Sequence, residues 1–330
     1  MLAAIRRHLG MPLLAKELTE QAARRRTYIV RILYTAVLFS AGLFIVYGWG
    51  AMGGVSQLGQ GQEMFNQIVR LQLGAILLVL PATSAGAFAG EKERESLSLL
   101  LLTTIPRDMI VLQKMLSRVI PMLAFVILSF PLMATAYSFG GVMTTQLALT
   151  LAYLVLLTIH VGAVSIMCST YCRTTVEAYV ATYMCLLGSS VFLAPMFQLI
   201  SESDDLISSL VMIVMAFFPF IGGAFLLSCA FLYDRAFIPP KNFLLAAFRQ
   251  VDAFFNDMNK VTGGVVLVKD GSPFPDMDPI SWRETAKRSL GTFRYLFRIL
   301  VFIELPILVV SQAVRIDMVR SRSSMSVLLY

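Results

Sequence analysis

Six separate stretches of this chain are each long and apolar enough to cross a lipid bilayer, and no other feature constrains its fold as tightly. They run over Ile29–Gly50, Ile68–Gly90, Val119–Tyr137, Leu147–Cys168, Ala178–Ile200 and Leu206–Leu232. About 20 apolar residues suffice, because roughly 30 Å of hydrocarbon is covered at ~1.5 Å per residue. Backbone groups in lipid must pair within their own segment, and the alternating pattern of a barrel strand is absent, so helices are expected. With 57% of its 330 residues hydrophobic and a mean hydropathy of +0.75, the chain has more apolar surface than one soluble core could hide. The expected fold class is an all-α integral membrane protein, a six-helix transmembrane bundle preceded by an interfacial helix. A seventh, incomplete span after the bundle is a further candidate.

The net charge of +7 would fit a nucleic-acid binder only if the basic residues gathered on a soluble face. They do not. Residues 1–28 carry six Lys and Arg, 91–118 five, 169–177 one and 230–298 ten, whereas 51–67, 138–146 and 201–205 carry none. Lys and Arg are retained on the cytoplasmic side during insertion, so the pattern predicts a cytoplasmic N-terminus and a multi-pass protein of the cell's inner (plasma) membrane. The basic excess is topological, and no nucleic-acid partner is expected.

Four regions follow: a basic cytoplasmic lead-in at 1–28, the six-span body at 29–232, a cytoplasmic segment at 233–298 and an apolar restart at 299–330. Within the third, Leu244, Ala247, Phe248, Val251, Phe254 and Phe255 recur at helical spacing, which predicts an amphipathic surface helix. Val265–Val268 before Lys269-Asp270-Gly271 reads as a short strand and turn. Laying residues 12–33 over 279–300 pairs Pro12 with Pro279, Glu17 with Glu284, Tyr28 with Tyr295 and Arg31 with Arg298, and also Ile32 with Ile299 and Leu33 with Leu300. Lys16 meets Arg283 in the same alignment. Six identities in 22 positions exceed the roughly one or two that composition gives, so Ile299–Val314 reads as the first helix of a second, incomplete repeat.

Candidates for catalysis are few. The six spans hold no Asp or Glu, which disfavours an ion-coupled carrier, since such proteins keep costly buried carboxylates for function. His160 stands alone in the fourth span and reads as a polar side chain satisfied by a neighbouring helix; Glu304 has no assignable role. Cys168, Cys172, Cys185 and Cys229 all lie in or beside apolar stretches, with no companion ligands for a metal and no reason for a disulfide. No G-x-x-x-x-G-K-[ST] loop, G-x-S-x-G elbow or H-E-x-x-H run occurs. The chain is expected to be no enzyme and to hold no cofactor of its own.

Two charged features remain, each placed outside the apolar spans. Pro12-Leu13-Leu14-Ala15-Lys16-Glu17-Leu18 leads into the first span as an interfacial anchor. Gly90-Glu91-Lys92-Glu93-Arg94-Glu95-Ser96 follows the second, its i, i+3 pairs extending a helix into water. An apolar run, Leu97–Leu102, and a helix start near Thr104, Pro106 and Asp108 come next.

Taken together, these residues resemble the permease subunits of type 2 ABC exporters over residues 1 to about 232. The resemblance rests on a P-x-x-x-K-E-L elbow before the first span, and on G-E-K-E-R then L-x-L-L-L-x-T-x-x-P after the second. In this chain the latter is Gly90–Arg94, then Leu97, Leu99, Leu100, Leu101, Thr103 and Pro106. The pattern departs at Glu95-Ser96, where a Gly-Thr pair is common. The resemblance implies a membrane subunit that docks, through its elbow and the loop after the second span, on a separate cytoplasmic ABC ATPase carrying ATP and Mg. Lys16, Glu17, Glu91, Lys92, Glu93, Arg94 and Glu95 are then the expected docking residues, with Arg283 and Glu284 as repeat counterparts of the elbow. A second permease half, a second copy or a paralogue, is the other implied partner. The alternative is an incomplete or regulatory membrane subunit of such a complex, with no path of its own.

Overall fold

A computed structural model describes residues 11–23, 25, 28–29, 32–40, 42, 61–201, 206–234 and 250. All but the last fall in the first of two compact units, Met1–Pro239 and Pro240–Tyr330. The described fold is helical: α1 Pro12–Ala23, an unlabelled helical stretch at 32–40, α2 Gly61–Ser84, α3 Gly86–Glu93, α4 Leu97–Leu101, α5 Arg107–Ser138, α6 Thr144–Tyr171, α7 Thr175–Ser201 and α8 Leu206–Asp234. Five runs are long and apolar enough to cross a membrane: Met64–Glu93, Arg107–Ser138, Thr144–Tyr171, Thr175–Leu193 and Leu206–Asp234. They coincide with the second to sixth expected spans, and the first reaches the described residues as the stretch 32–40 and Gly42. The surface helix, the strand, the second repeat copy with Arg283 and Glu284, and the seventh segment lie outside the described residues.

The third span is one long helix that begins at Arg107, well before its apolar core. Pro106 sets that start: it is extended at φ −66°, ψ 149°, and Asp108 places a carboxylate in the first turn, where the helix dipole favours it. Tyr34, Phe65, Ile76, Leu80, Val126, Met133 and Leu154 are buried between the helices. The opposite case is α8, whose Ile207, Val211, Met215, Phe218 and Leu226 are exposed on the bundle's outside. Lipid tails are as apolar as these side chains, so no core is needed to cover them.

Proline inside a helix removes one N–H and orphans the carbonyl four residues earlier, a loss that lipid cannot make good. Two such carbonyls are met by neighbouring helices. Pro81 in α2 frees Leu77 O, to which the Tyr183 hydroxyl of α7 donates at 2.8 Å. Pro121 in α5 frees Ser117 O, which accepts from Gln21 Nε2 of α1 at 3.3 Å. A third repair joins α2 to α3, which sequence reading took as one unbroken span. Ser169 Oγ of α6 enters the ladder there, donating to Ala85 O at 2.7 Å and accepting from Phe88 N and Ala89 N at 2.9 and 3.0 Å.

Close helix packing depends on two glycines. A Cβ on Gly61 would stand 2.2 Å from Gly140 O and 2.4 Å from Ala136 O, and one on Gly162 would stand 2.5 Å from Val119 Cγ2. The first contact is with backbone at the end of α5 and has nowhere to yield. His160 is buried in α6, its Nε2 3.1 Å from Ser189 Oγ of α7, with Phe217 and Phe220 edge-on to the ring.

Candidate functional site

The charged motifs meet at one end of the bundle, around a lysine that the apolar pattern hides. Lys114 sits one turn before the apolar core of α5, with its side chain 1% exposed. Its Nζ lies 3.1 Å from Glu17 Oε1 of α1 and 2.7 Å from Glu91 Oε1 of α3, and donates to Ala87 O at 3.0 Å. The Phe88 ring lies 5.0 Å beneath it, so the ammonium has two carboxylates, a carbonyl and an aromatic face in place of water. Burying a lone ammonium would cost several kcal/mol, which is why both acids are here.

Glu17 is gripped from a second side. Ser117 Oγ donates to its Oε2 at 2.6 Å, and Arg118 Nη2 stands 3.6 Å from the same oxygen. Glu17 and Glu91 thus balance Lys114 and Arg118, and the cluster is neutral. Burial alone would raise the Glu17 pKa; Lys114, the Ser117 hydrogen bond and Arg118 outweigh it and hold the carboxyl below its ordinary range.

α1 is seated on α5 by more than charge. Its first residue, Pro12, has no N–H to lose, and the next two amides, Leu13 N and Leu14 N, donate to Gln113 Oε1 at 3.0 and 3.2 Å. Gln113 serves as an N-cap supplied by another helix. Gln113, Lys114, Ser117 and Arg118 follow the i, i+1, i+4, i+5 spacing of one helix face, and that face receives Leu13, Glu17 and Gln21.

The rest of the charged run is spent on helix ends. Lys92 Nζ donates to Thr170 O, and to Cys172 O at 3.0 Å, placing a cation where the C-terminal carbonyls of α6 converge. Glu93 does the converse at the start of α7, accepting from Thr175 N at 2.7 Å and Thr175 Oγ1 at 3.2 Å. α3 closes in a Schellman turn, with Ser96 N donating to Glu91 O at 2.9 Å and Glu95 N to Lys92 O at 3.1 Å. Glu95 takes the left-handed position at φ 58°.

Of the expected docking residues among those described, Glu17, Glu91, Lys92 and Glu93 hold partners within the chain, while Lys16, Arg94 and Glu95 are exposed. Lys16 pairs with Glu20 at 3.7 Å across its own helix. Beside Arg94 and Glu95, Leu99 and Leu102 stand open at 68% and 80% exposure, outside the apolar length of any span. Sequence reading missed Gln113, Lys114, Ser117, Arg118 and Ser169. For the first four the signal was polar residues at i, i+1, i+4 and i+5 on one face of an otherwise apolar run from Ile110; Ser169 carries no such mark.

Apolar helices packed through glycines and borrowed hydroxyls, with charged segments joined at one end, define a helical multi-pass membrane protein. Residues 11–204 match the family model for ABC-2 family transporter proteins. The chain belongs to that family and is a permease subunit of a type 2 ABC transporter. Comparison with curated proteins and with solved structures gave no match.

Proposed function

We propose that this chain forms the translocation path of an exporter driven by ATP hydrolysis on a separate ABC ATPase, with the charged end of the bundle as its docking face. In this reading the N-terminus and that face are cytoplasmic, the membrane is the cell's inner (plasma) membrane, and a second permease half completes the path. ATP and Mg bind the partner, whose closure moves the docked segments and shifts the bundle between two packings. The observation that carries the proposal is the convergence of Glu17 and Glu91, one from each motif, on Lys114. It makes α1 and the end of α3 neighbours on one surface. Arg94, Leu99 and Leu102 flank that surface and suit a partner with an acidic and an apolar patch.

Purification of the tagged chain in mild detergent, with identification of what accompanies it, tests the reading. An ABC ATPase is the expected companion, and its absence under conditions that preserve the fold counts against the proposal. Arg94→Glu, which removes no intramolecular contact named above, is expected to lower ATPase recovery several-fold at unchanged membrane expression. Equal loss of both would assign Arg94 to folding.

A further inference from the structure

Lys114 has more partners than its own solvation requires, and they come from separate segments. A buried ammonium needs one carboxylate for charge; this one binds two, and each comes from a different motif. Without it, Glu17 would keep Ser117 and Arg118, but among the cluster contacts nothing else ties Glu91 to α5. We propose that Lys114 is the positioning residue of the docking surface, holding α1 and α3 on the head of α5 so that they move as one body. The proposal rests on the docking reading above and adds the part that transmits the motion. Glu91 leads directly into Lys92 and Glu93, which grip the ends of α6 and α7. A displacement of α1 therefore passes through Lys114 to α3, and through α3 to two further spans. A neutral, fully paired cluster suits this role, because breaking it exposes an uncompensated buried charge and partial separation is strongly disfavoured.

The test uses the full chain, purified without its native cysteines, carrying spin labels on Thr19→Cys of α1 and Ser98→Cys of α4. Both positions are exposed and neither touches the cluster. The parent is expected to give a narrow label-to-label distance distribution. Lys114→Met is expected to broaden it several-fold and to lower ATPase recovery in step. Because that single change strands the Glu91 carboxylate, the double variant Lys114→Met, Glu91→Gln is measured beside it; it keeps Glu17 paired with Arg118, strands no buried charge and is expected to stay folded, which its helical signal checks. A broadened distribution with reduced ATPase recovery in the double variant supports the tether. An unchanged narrow distribution overturns it, and so does a broadened one at full ATPase recovery. If the parent itself recovers no ATPase, the docking reading fails, and the distance measurement alone still decides whether Lys114 joins the two segments.

Discussion

Glu95 shows how one residue can work against its position. At φ 58° its Cβ crowds the backbone, which costs an L-residue roughly 1–2 kcal/mol, while glycine takes this conformation freely. The sequence resemblance marks the same place as one where glycine is common, and the Schellman bonds give the reason. Glu95→Gly is therefore expected to stabilise the folded chain by about 1 kcal/mol, after allowance for the added freedom of the unfolded chain, read as a higher Tm in detergent. An unchanged or lower Tm would mean that the Glu95 side chain contributes something the turn does not show. Glu17 gives a second prediction, in acid. Its carboxyl is held below its ordinary value of 4.5, so the stability it contributes is fully present above that value and is lost as pH falls through the lower folded-state value. Glu17→Gln should lower Tm at neutral pH, and the two curves should converge below pH 4.5. Curves that stay parallel into acid would mean that Glu17 acts through shape alone.

The helices depend on groups that no single helix supplies. Pro81 and Pro121 each break a helix ladder, and Tyr183 and Gln21, which repair them, lie far along the chain and carry no local mark. Ser169 is the sharpest case: a small polar residue near the end of an apolar span, indistinguishable by composition from Ser165 or Thr170, yet it carries three bonds of the α2–α3 ladder. Ser169→Ala is expected to destabilise the protein by roughly 1–3 kcal/mol, the cost of buried polar groups left unmatched. Little change in Tm would mean that α2 and α3 close into a continuous ladder once the hydroxyl is gone. Hydrogen exchange at Phe88 and Ala89 would distinguish that outcome, because reclosure keeps both amides protected.

At the scale of the molecule, span positions were legible because lipid imposes a length and polarity that any apolar run reveals, and the five spans described fall where expected. Lys114 was not legible for a related reason. Charge bias counts a lysine by its place in the order of loops, and 91–118 was scored as a basic loop, whereas burial is a property of pairs that only the fold brings together. The count and the fold nevertheless make a joint prediction about sidedness. Lys92 and Glu93 bind the end of α6 and the start of α7, so the basic loops at 91–118 and 169–177 share one end of the bundle. The turn between α5 and α6, where Gly140 and Gly141 take φ 81° and 87°, carries no Lys or Arg and stands at the far end of both helices. Retention of basic loops then places Ser98 inside and Met143 outside. In intact cells expressing cysteine-free chain, a membrane-impermeant maleimide is expected to label Met143→Cys directly and Ser98→Cys only after permeabilisation. Both positions are exposed, Met143 at 73%, so failure to label reports sidedness and not burial. Direct labelling of Ser98→Cys would invert the bundle, move the Lys114 cluster to the outer face and remove any cytoplasmic ATPase from its reach.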